Sequence, residues 1–289
     1  MDRPTWVSRS LFPFEAHSFE SADGPMHYVD EGQGSAILMV HGTPTWSFLY
    51  RDLITSLSTD HRVIAVDHLG FGLSAKPGDA PYRPQDHARR LTDFVDHLGV
   101  DRFTLVAHDY GGPIGLSYAL QRPTTVTRLV LFNTWLWSLR DRAAVRAMDV
   151  VTRGPLGRLF YRRFNGSPRV LLKAAWGDRT PLTDEVHRHY TNPFPTSADR
   201  TAPWVLAREL IGSSEWYDSL WRRRSEITQL PTLLVWGLAD PAFGESSLER
   251  WEEALSNATV RRLPGIGHFV PDEASARVTA EMADFLQDS

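Results

Sequence analysis

An aspartate, Asp109, stands at the centre of Leu105-Val-Ala-His-Asp-Tyr-Gly-Gly-Pro-Ile-Gly115. Residues 103 to 106 form an apolar, strand-like run and Gly111 to Leu120 reads as a helix, which places Asp109 at a strand-to-helix corner. Small residues, Ala107 and Gly111, flank it two positions to either side. That spacing suits a turn so tight that larger flanking side chains would collide, with the central side chain lifted above the sheet edge as a nucleophile. A carboxylate is already an anion at neutral pH, and its attack on carbon makes an ester of the enzyme itself. The alternative is an Asp that only caps the helix behind it. What decides between the two is whether the rest of the machinery is present.

Hydrolysing such an ester needs a base, and the base needs a carboxylate to orient it. The order nucleophile, acid, histidine along the chain is the order of an α/β-hydrolase. Leu233-Leu-Val-Trp-Gly-Leu-Ala-Asp240 is a buried-strand pattern that ends on Asp240 at the carboxyl end, where open α/β sheets place their chemistry. Val260 to Leu263 is a further short strand, followed by Pro264-Gly-Ile-Gly-His268-Phe, a glycine-rich loop able to carry an imidazole to the corner. Asp240 is thus the expected acid and His268, out of eleven histidines, the expected base. His41 and His108 adjoin the same region and are expected to orient loops by hydrogen bonding. In Ile37-Leu-Met-Val-His-Gly-Thr-Pro44 an apolar strand runs into a loop. In α/β-hydrolases the loop after this strand supplies one backbone N–H of the oxyanion hole and the residue after the nucleophile the other; here Thr43 and Tyr110 are the expected donors. Pro44 is a candidate cis proline.

The elements that must position these groups are legible too. Strand patterns at 36 to 41, 62 to 67, 103 to 108 and 128 to 133 alternate with helical ones, the signature of a parallel sheet covered on both faces. A hairpin is expected earlier, turned at Asp23-Gly24, with a second turn at Gly32-Gln-Gly34. After Asn133 the strand rhythm stops until Leu230-Pro231, and the segment between holds helix-like pieces broken at Gly154-Pro155, Thr180-Pro181 and Asn192-Pro-Phe-Pro195. The expected architecture is a mostly parallel central sheet flanked by helices. Residues 1–133 and 227–289 form the core, and 134–226 form a helical cap inserted after the sixth strand. Many of the ten tryptophans lie in the cap, and Trp135 and Trp137 are expected to line the substrate pocket.

Composition narrows the function. With no cysteine, disulfides, thiolate metal sites and cysteine nucleophiles are excluded. A formal net charge of -4 and the absence of a basic block argue against nucleic acid; Arg222 to Arg224 and the arginines of 140 to 170 read as solvated helix faces. The N-terminus lacks the basic-then-apolar order of a secretory signal and no run approaches a membrane span, so a soluble, cytoplasmic protein is expected. No metal or organic cofactor is expected. The expected partners are a small apolar substrate and water.

Val40-His-Gly-Thr-Pro-Thr-Trp46, Val66-Asp-His-Leu-Gly-Phe-Gly-Leu-Ser74 with Lys76-Pro77, His108-Asp-Tyr-Gly-Gly112, Trp236-Gly-Leu-Ala-Asp240 and Gly267-His-Phe269 together resemble the haloalkane dehalogenases over nearly the whole chain. The resemblance implies an α/β-hydrolase fold with a cap, the triad Asp109, Asp240 and His268, and release of halide and alcohol. It is closest to subgroups that do not place a glutamate at the strand before the cap, where this chain reads Phe132-Asn-Thr134. The family holds the leaving halide with a Trp indole beside the nucleophile, helped by an Asn two residues after the strand histidine or by a cap Trp. This chain has Tyr110 and Thr43 there, so its halide site is atypical, and Trp135 or Trp137 is the expected compensation. The same order of residues resembles epoxide hydrolases, which use a cap tyrosine pair (Tyr161, Tyr190 and Tyr217 being available), and beta-lactone decarboxylases. From a different class, a hydrolase fold kept as a ligand-binding protein is disfavoured by the intact triad.

Overall fold

The computed structural model describes residues 3–287. Eight strands form one sheet: β1 (His17–Ser21), β2 (Gly24–Glu31), β3 (Ala36–Val40), β4 (Arg62–Val66), β5 (Phe103–Asp109), β6 (Val126–Thr134), β7 (Thr232–Gly237) and β8 (Thr259–Leu263). Their spatial order is β1-β2-β4-β3-β5-β6-β7-β8. β1 and β2 form the expected hairpin and β2 joins β4 antiparallel; every other pairing is parallel. Twelve helices complete the described chain: α1 (Arg51–Leu57), α2 (Pro84–Leu98), α3 (Gly111–Gln121), α4 (Ala143–Arg153), α5 (Pro155–Arg158), α6 (Leu172–Ala175), α7 (Asp184–Thr191), α8 (Thr201–Gly212), α9 (Ser214–Arg222), α10 (Glu245–Ala254), α11 (Val270–Glu273) and α12 (Ser275–Gln287). Between β6 and β7 the chain passes only through helical elements, α4 to α9 with short π and 3-10 turns.

The central strands are continuous apolar runs because both faces of the sheet are covered. One face carries Leu38 and Val40, Ile64 and Val66, Leu105 and Ala107, and Leu234 and Trp236, packed against Leu91 of α2, Ile114 of α3 and Trp251 of α10. The other carries Ile37 and Met39, Val63 and Ala65, Val130 and Phe132, and Leu233 and Val235, packed against Leu53 of α1 and Met282 of α12. Successive residues of a strand point to opposite faces, so these alternating sets are what holds two helical layers on one sheet. α2 starts with Pro84, which needs no N–H partner in a first turn, and stops at Gly99, whose φ of 61° suits glycine.

β5 lies at the centre and ends on Asp109, whose φ of 51° marks a sharp left-handed turn into α3. The turn presses α3 onto the neighbouring strands. A Cβ at Gly111 would lie 1.9 Å from the carbonyl oxygen of Val40, and one at Gly112 would lie 1.8 Å from Thr134 Oγ1. Gly111→Ala is therefore expected to cost about 3 kcal/mol, because the obstacle is backbone that cannot step aside. Gly78→Ala, with nothing within 4 Å of its added Cβ, is the matched control with little effect. Urea denaturation of both variants checks this, and equal midpoints would show that the corner relaxes freely.

Candidate active site

The corner lifts the Asp109 carboxylate to the carboxyl edge of the sheet. Its Oδ2 accepts the backbone N–H of Thr43 at 2.8 Å, and the backbone N–H of Tyr110 also donates to the carboxylate. Thr43 can come this close because residue 42 is glycine: a Cβ there would lie 2.3 Å from the same oxygen. The Thr43-Pro44 peptide bond is cis. Thr134 Oγ1 donates to the carbonyl of Asp109 at 2.6 Å, fixing the corner from the β6 side.

The other expected members converge on Asp109. His268 Nε2 lies 3.7 Å from Asp109 Oδ1, and His268 Nδ1 lies 2.8 Å from Asp240 Oδ2. Asp240 also accepts the N–H of Ala242 on Oδ1 at 2.7 Å and the amide of Asn133 on Oδ2 at 2.9 Å. Burial alone would push the Asp240 carboxyl up, but the His268 imidazole and these donors outweigh it and hold the group below its ordinary value. An ionised carboxylate only accepts, so Nδ1 of His268 carries the proton and Nε2 faces Asp109. Burial pulls the His268 imidazole down, yet Asp240 and Asp109 together hold it above its usual value. Asp109 itself is pushed up to about 6, because burial outweighs His268 and the two N–H donors.

That last shift has a sign. A carboxyl raised in the folded protein is a burden once ionised, and the burden disappears as pH falls through about 6 toward the ordinary aspartate value. Asp109→Asn is expected to raise Tm by a few °C at about pH 8, with the gain shrinking under acid. Scanning calorimetry at two pH values checks it. An unchanged Tm at the higher pH would mean that the N–H donors fully offset burial.

His41 and His108 act on loops, as expected. Nδ1 of His41 donates to the carbonyl of Gly42 and Nε2 accepts the N–H of His68, while Nε2 of His108 donates to the carbonyl of His268 at 2.8 Å. Two further positioning residues carried no signal in a strand-and-motif reading. Asn133, at φ 24°, bridges Gly237 and Asp240 through its amide. Glu273 accepts N–H groups of Gly267 and Phe269 on the His268 loop, and of Gly177 and Asp178 across from it. The backbone N–H of His268 reaches the carbonyl of Ala175 at 2.8 Å.

A cavity of about 400 Å³ opens above these groups, lined by Thr43, Asp109, Tyr110 and His268 from the sheet side. Leu139, Met148, Leu171 and Leu172 give its facing wall an apolar character, with Arg142 and Tyr161 as polar members. Three expectations fail here. Trp135 does not line the cavity: it lies behind it, stacked on Phe243 at 4.5 Å and set edge-on to Tyr110. Trp137 does not line it either, packing instead against Trp221 and Trp251 beneath the guanidinium of Arg250. Both rings are held instead among aromatic partners, where stacked and edge-on pairs add to burial. Nor does Tyr110 offer its hydroxyl to the site, because that hydroxyl donates to the carbonyl of Leu206 at 2.5 Å. Thr43 Oγ1, by contrast, is buried without a hydrogen-bond partner. Of the cap tyrosines only Tyr161 lines the cavity; Tyr190 donates to Asp272 and Tyr217 to the carbonyl of Glu209, so no tyrosine pair faces Asp109.

Comparison with known proteins agrees with this fold. The profile of the alpha/beta hydrolase fold family matches residues 35–275. Haloalkane dehalogenase 2 of Mycobacterium tuberculosis is 36% identical over 276 residues, covering 95% of this chain and 96% of that protein. A cis-3-alkyl-4-alkyloxetan-2-one decarboxylase of Shewanella oneidensis is 31% identical over 289 residues, covering 97% and 91%. The crystal structure of a haloalkane dehalogenase from Bradyrhizobium elkani superposes with a TM-score of 0.84 at 25% identity, covering 96% of this chain and 100% of that one.

Proposed function

The chain belongs to the haloalkane dehalogenase family of α/β-hydrolase-fold enzymes, and from that premise we propose that Asp109 is its nucleophile and that it hydrolyses small apolar haloalkanes through a covalent alkyl ester. The observation that carries this reading is the Asp109 carboxylate itself, with one oxygen held by Thr43 N–H and the other facing His268 Nε2. Oδ1 attacks the sp3 carbon, a C–O bond forms, and the carbon–halogen bond breaks with its electrons leaving on halide. Residues 134–226 act as the lid that keeps bulk water from the ester.

The second half uses the same atoms. Against burial, Asp240 first and ionised Asp109 after it hold the His268 imidazole above its usual value; once alkylated, Asp109 loses its charge and its part of that hold, and the imidazole shifts back toward a base. His268 then takes a proton from water, and the hydroxide attacks Cγ of Asp109. Charge develops on Oδ2, which already accepts the Thr43 N–H, with the Tyr110 N–H also donating to the carboxylate, a placement worth about 3 kcal/mol per donor in comparable sites. Collapse releases the alcohol, which takes its proton from His268, and leaves one oxygen of that water in the Asp109 carboxylate.

The first half requires ionised Asp109. Its rate is expected to fall to half near pH 6 and continue down as acid protonates the nucleophile. Rapid-quench measurement of halide release checks this, and a midpoint in the ordinary aspartate range would remove burial as its cause. The overall test is bromide release from a short bromoalkane by the parent and by Asp109→Asn. Release by the parent alone supports the proposal; equal release by both ends it.

One observation favours a second reading. No indole N–H lines the cavity and the Tyr110 hydroxyl is given to Leu206, so the halide lacks the donors that the family resemblance implies. In a beta-lactone, attack on the ring sp3 carbon expels a carboxylate that stays tethered to the substrate. The guanidinium of Arg142 on the cavity wall is suited to receive it. Carbon dioxide release from a dialkyl beta-lactone, with no bromide from bromoalkanes, selects this reading on the same triad.

A further inference from the structure

The exposed large apolar side chains among the described residues all fall between Met148 and Leu171. They include Val150 at 73% exposure, Leu156 at 72% and Phe164 at 57%, on α4, α5 and the turns that follow. A contiguous apolar surface left open to water marks an interaction site. Residues 140–173 also hold nine Lys and Arg against two Asp, in a chain whose net charge is -4. Only Arg153 among these nine is ion-paired, to Asp149, among the described residues. Arg158, Arg163 and Arg169 are exposed. The charges that read from sequence as solvated helix faces thus share one segment with unburied aliphatic side chains.

We propose that this face docks on an anionic lipid surface. Basic residues interleaved with exposed aliphatics match such a surface twice over, in phosphate charge and in an acyl layer that accepts Val, Leu and Phe. The pairing also favours lipid over nucleic acid, which offers little to aliphatic side chains. Among the described residues no helix is long and apolar enough to cross a membrane, so the contact is peripheral. Met148 and Leu171 belong both to the exposed set and to the wall of the cavity above Asp109. The cavity therefore opens on the docking face, and an apolar substrate dissolved in the bilayer enters without crossing water. This goes beyond the chemistry at Asp109 and does not depend on it.

Flotation with vesicles tests it. The parent is expected to float with phosphatidylcholine vesicles containing phosphatidylglycerol and not with phosphatidylcholine alone. Arg158→Gln, Arg163→Gln and Arg169→Gln combined should lower the partition coefficient about a hundredfold, at about fivefold per basic side chain. Leu156→Asp with Phe164→Asp should abolish flotation at high salt. All five positions are exposed, so unchanged Tm and unchanged hydrolysis of a water-soluble bromoalkane are expected in both variants. Failure of the parent to float, or equal flotation with neutral vesicles, overturns the proposal. So does concentration-dependent self-association, lost in the same variants, without vesicle binding: the face would then belong to a second copy of this chain.

Discussion

A His268→Gln variant is expected to release one equivalent of halide per protein and then stop, with the alkyl group retained as a mass increment on the peptide carrying Asp109. Attack by Asp109 needs no proton transfer, and Thr43 N–H still holds the far oxygen of the carboxylate. Hydrolysis, however, loses the only imidazole whose Nε2 faces the ester. Removing one triad member in hydrolases of this logic costs about ten-thousandfold or more in turnover. Intact-mass spectrometry during a burst experiment reads both halves separately. Full turnover by the variant, or no adduct despite a halide burst, would contradict the assignment of His268 as the base for the second step. Supplying oxygen-labelled water to the parent in a single turnover should place the label in Asp109, with none in the first equivalent of alcohol.

Asp240→Asn is expected to be nearly as damaging, by about ten-thousandfold, for a different reason. Asp240 Oδ2 takes the Nδ1 proton of His268 at 2.8 Å and the Asn133 amide at 2.9 Å. An amide at 240 meets the Asn133 amide with one of its own donors, or turns its oxygen to Asn133 and its N–H toward the imidazole. In the second arrangement Nδ1 must accept, so the proton moves to Nε2 and the base is presented in the wrong tautomer. The halide burst should survive here too, while ester hydrolysis should recover as pH rises and hydroxide replaces the lost base. A pH-independent defect would instead indicate misplacement of the whole 237–243 loop. Asn133→Ala, which keeps the Asp240 charge, is the positioning control.

Local signals explain what sequence made legible. Asp109 ends the buried strand β5, Asp240 comes soon after the buried strand β7 and His268 soon after the short edge strand β8, so position along the chain implied position in space. The continuous burial of β3, β4, β5 and β7 is likewise written in apolar runs such as Ala36–Val40. Direction across the interior is not local. Tyr110 was readable as the donor of a backbone N–H, but its hydroxyl answers to Leu206, nearly a hundred residues away. Trp135 and Trp137 were expected in the pocket as cap tryptophans able to line an apolar site and to compensate at the halide position, yet their rings are held by Phe243 and Trp251. Asn133 acts on the Gly237 to Phe243 loop about a hundred residues on, and Glu273 joins its own neighbours Gly267 and Phe269 to the distant Gly177 and Asp178, pairings that no strand pattern encodes. Arg142 lines the cavity only because α4 is set down beside Ala242, whose carbonyl it holds.

The bond from the His268 backbone to Ala175, braced by Glu273, and the bond from Tyr110 to Leu206 divide the roof over the ester into two mechanical parts. Near Ala175 and near Leu206 the roof is bolted to the catalytic floor, so lifting it there would dislodge the base or the oxyanion corner. α4 and α5 have no such bolt to Asp109, Tyr110 or His268: α4 packs on α8 and on α5, and Arg142 at its start reaches the carbonyl of Ala242 on the loop that follows β7. Displacing that leaf would break none of the hydrogen bonds that hold Asp109, Tyr110 and His268, whereas displacing the roof at Ala175 or Leu206 would break one of them.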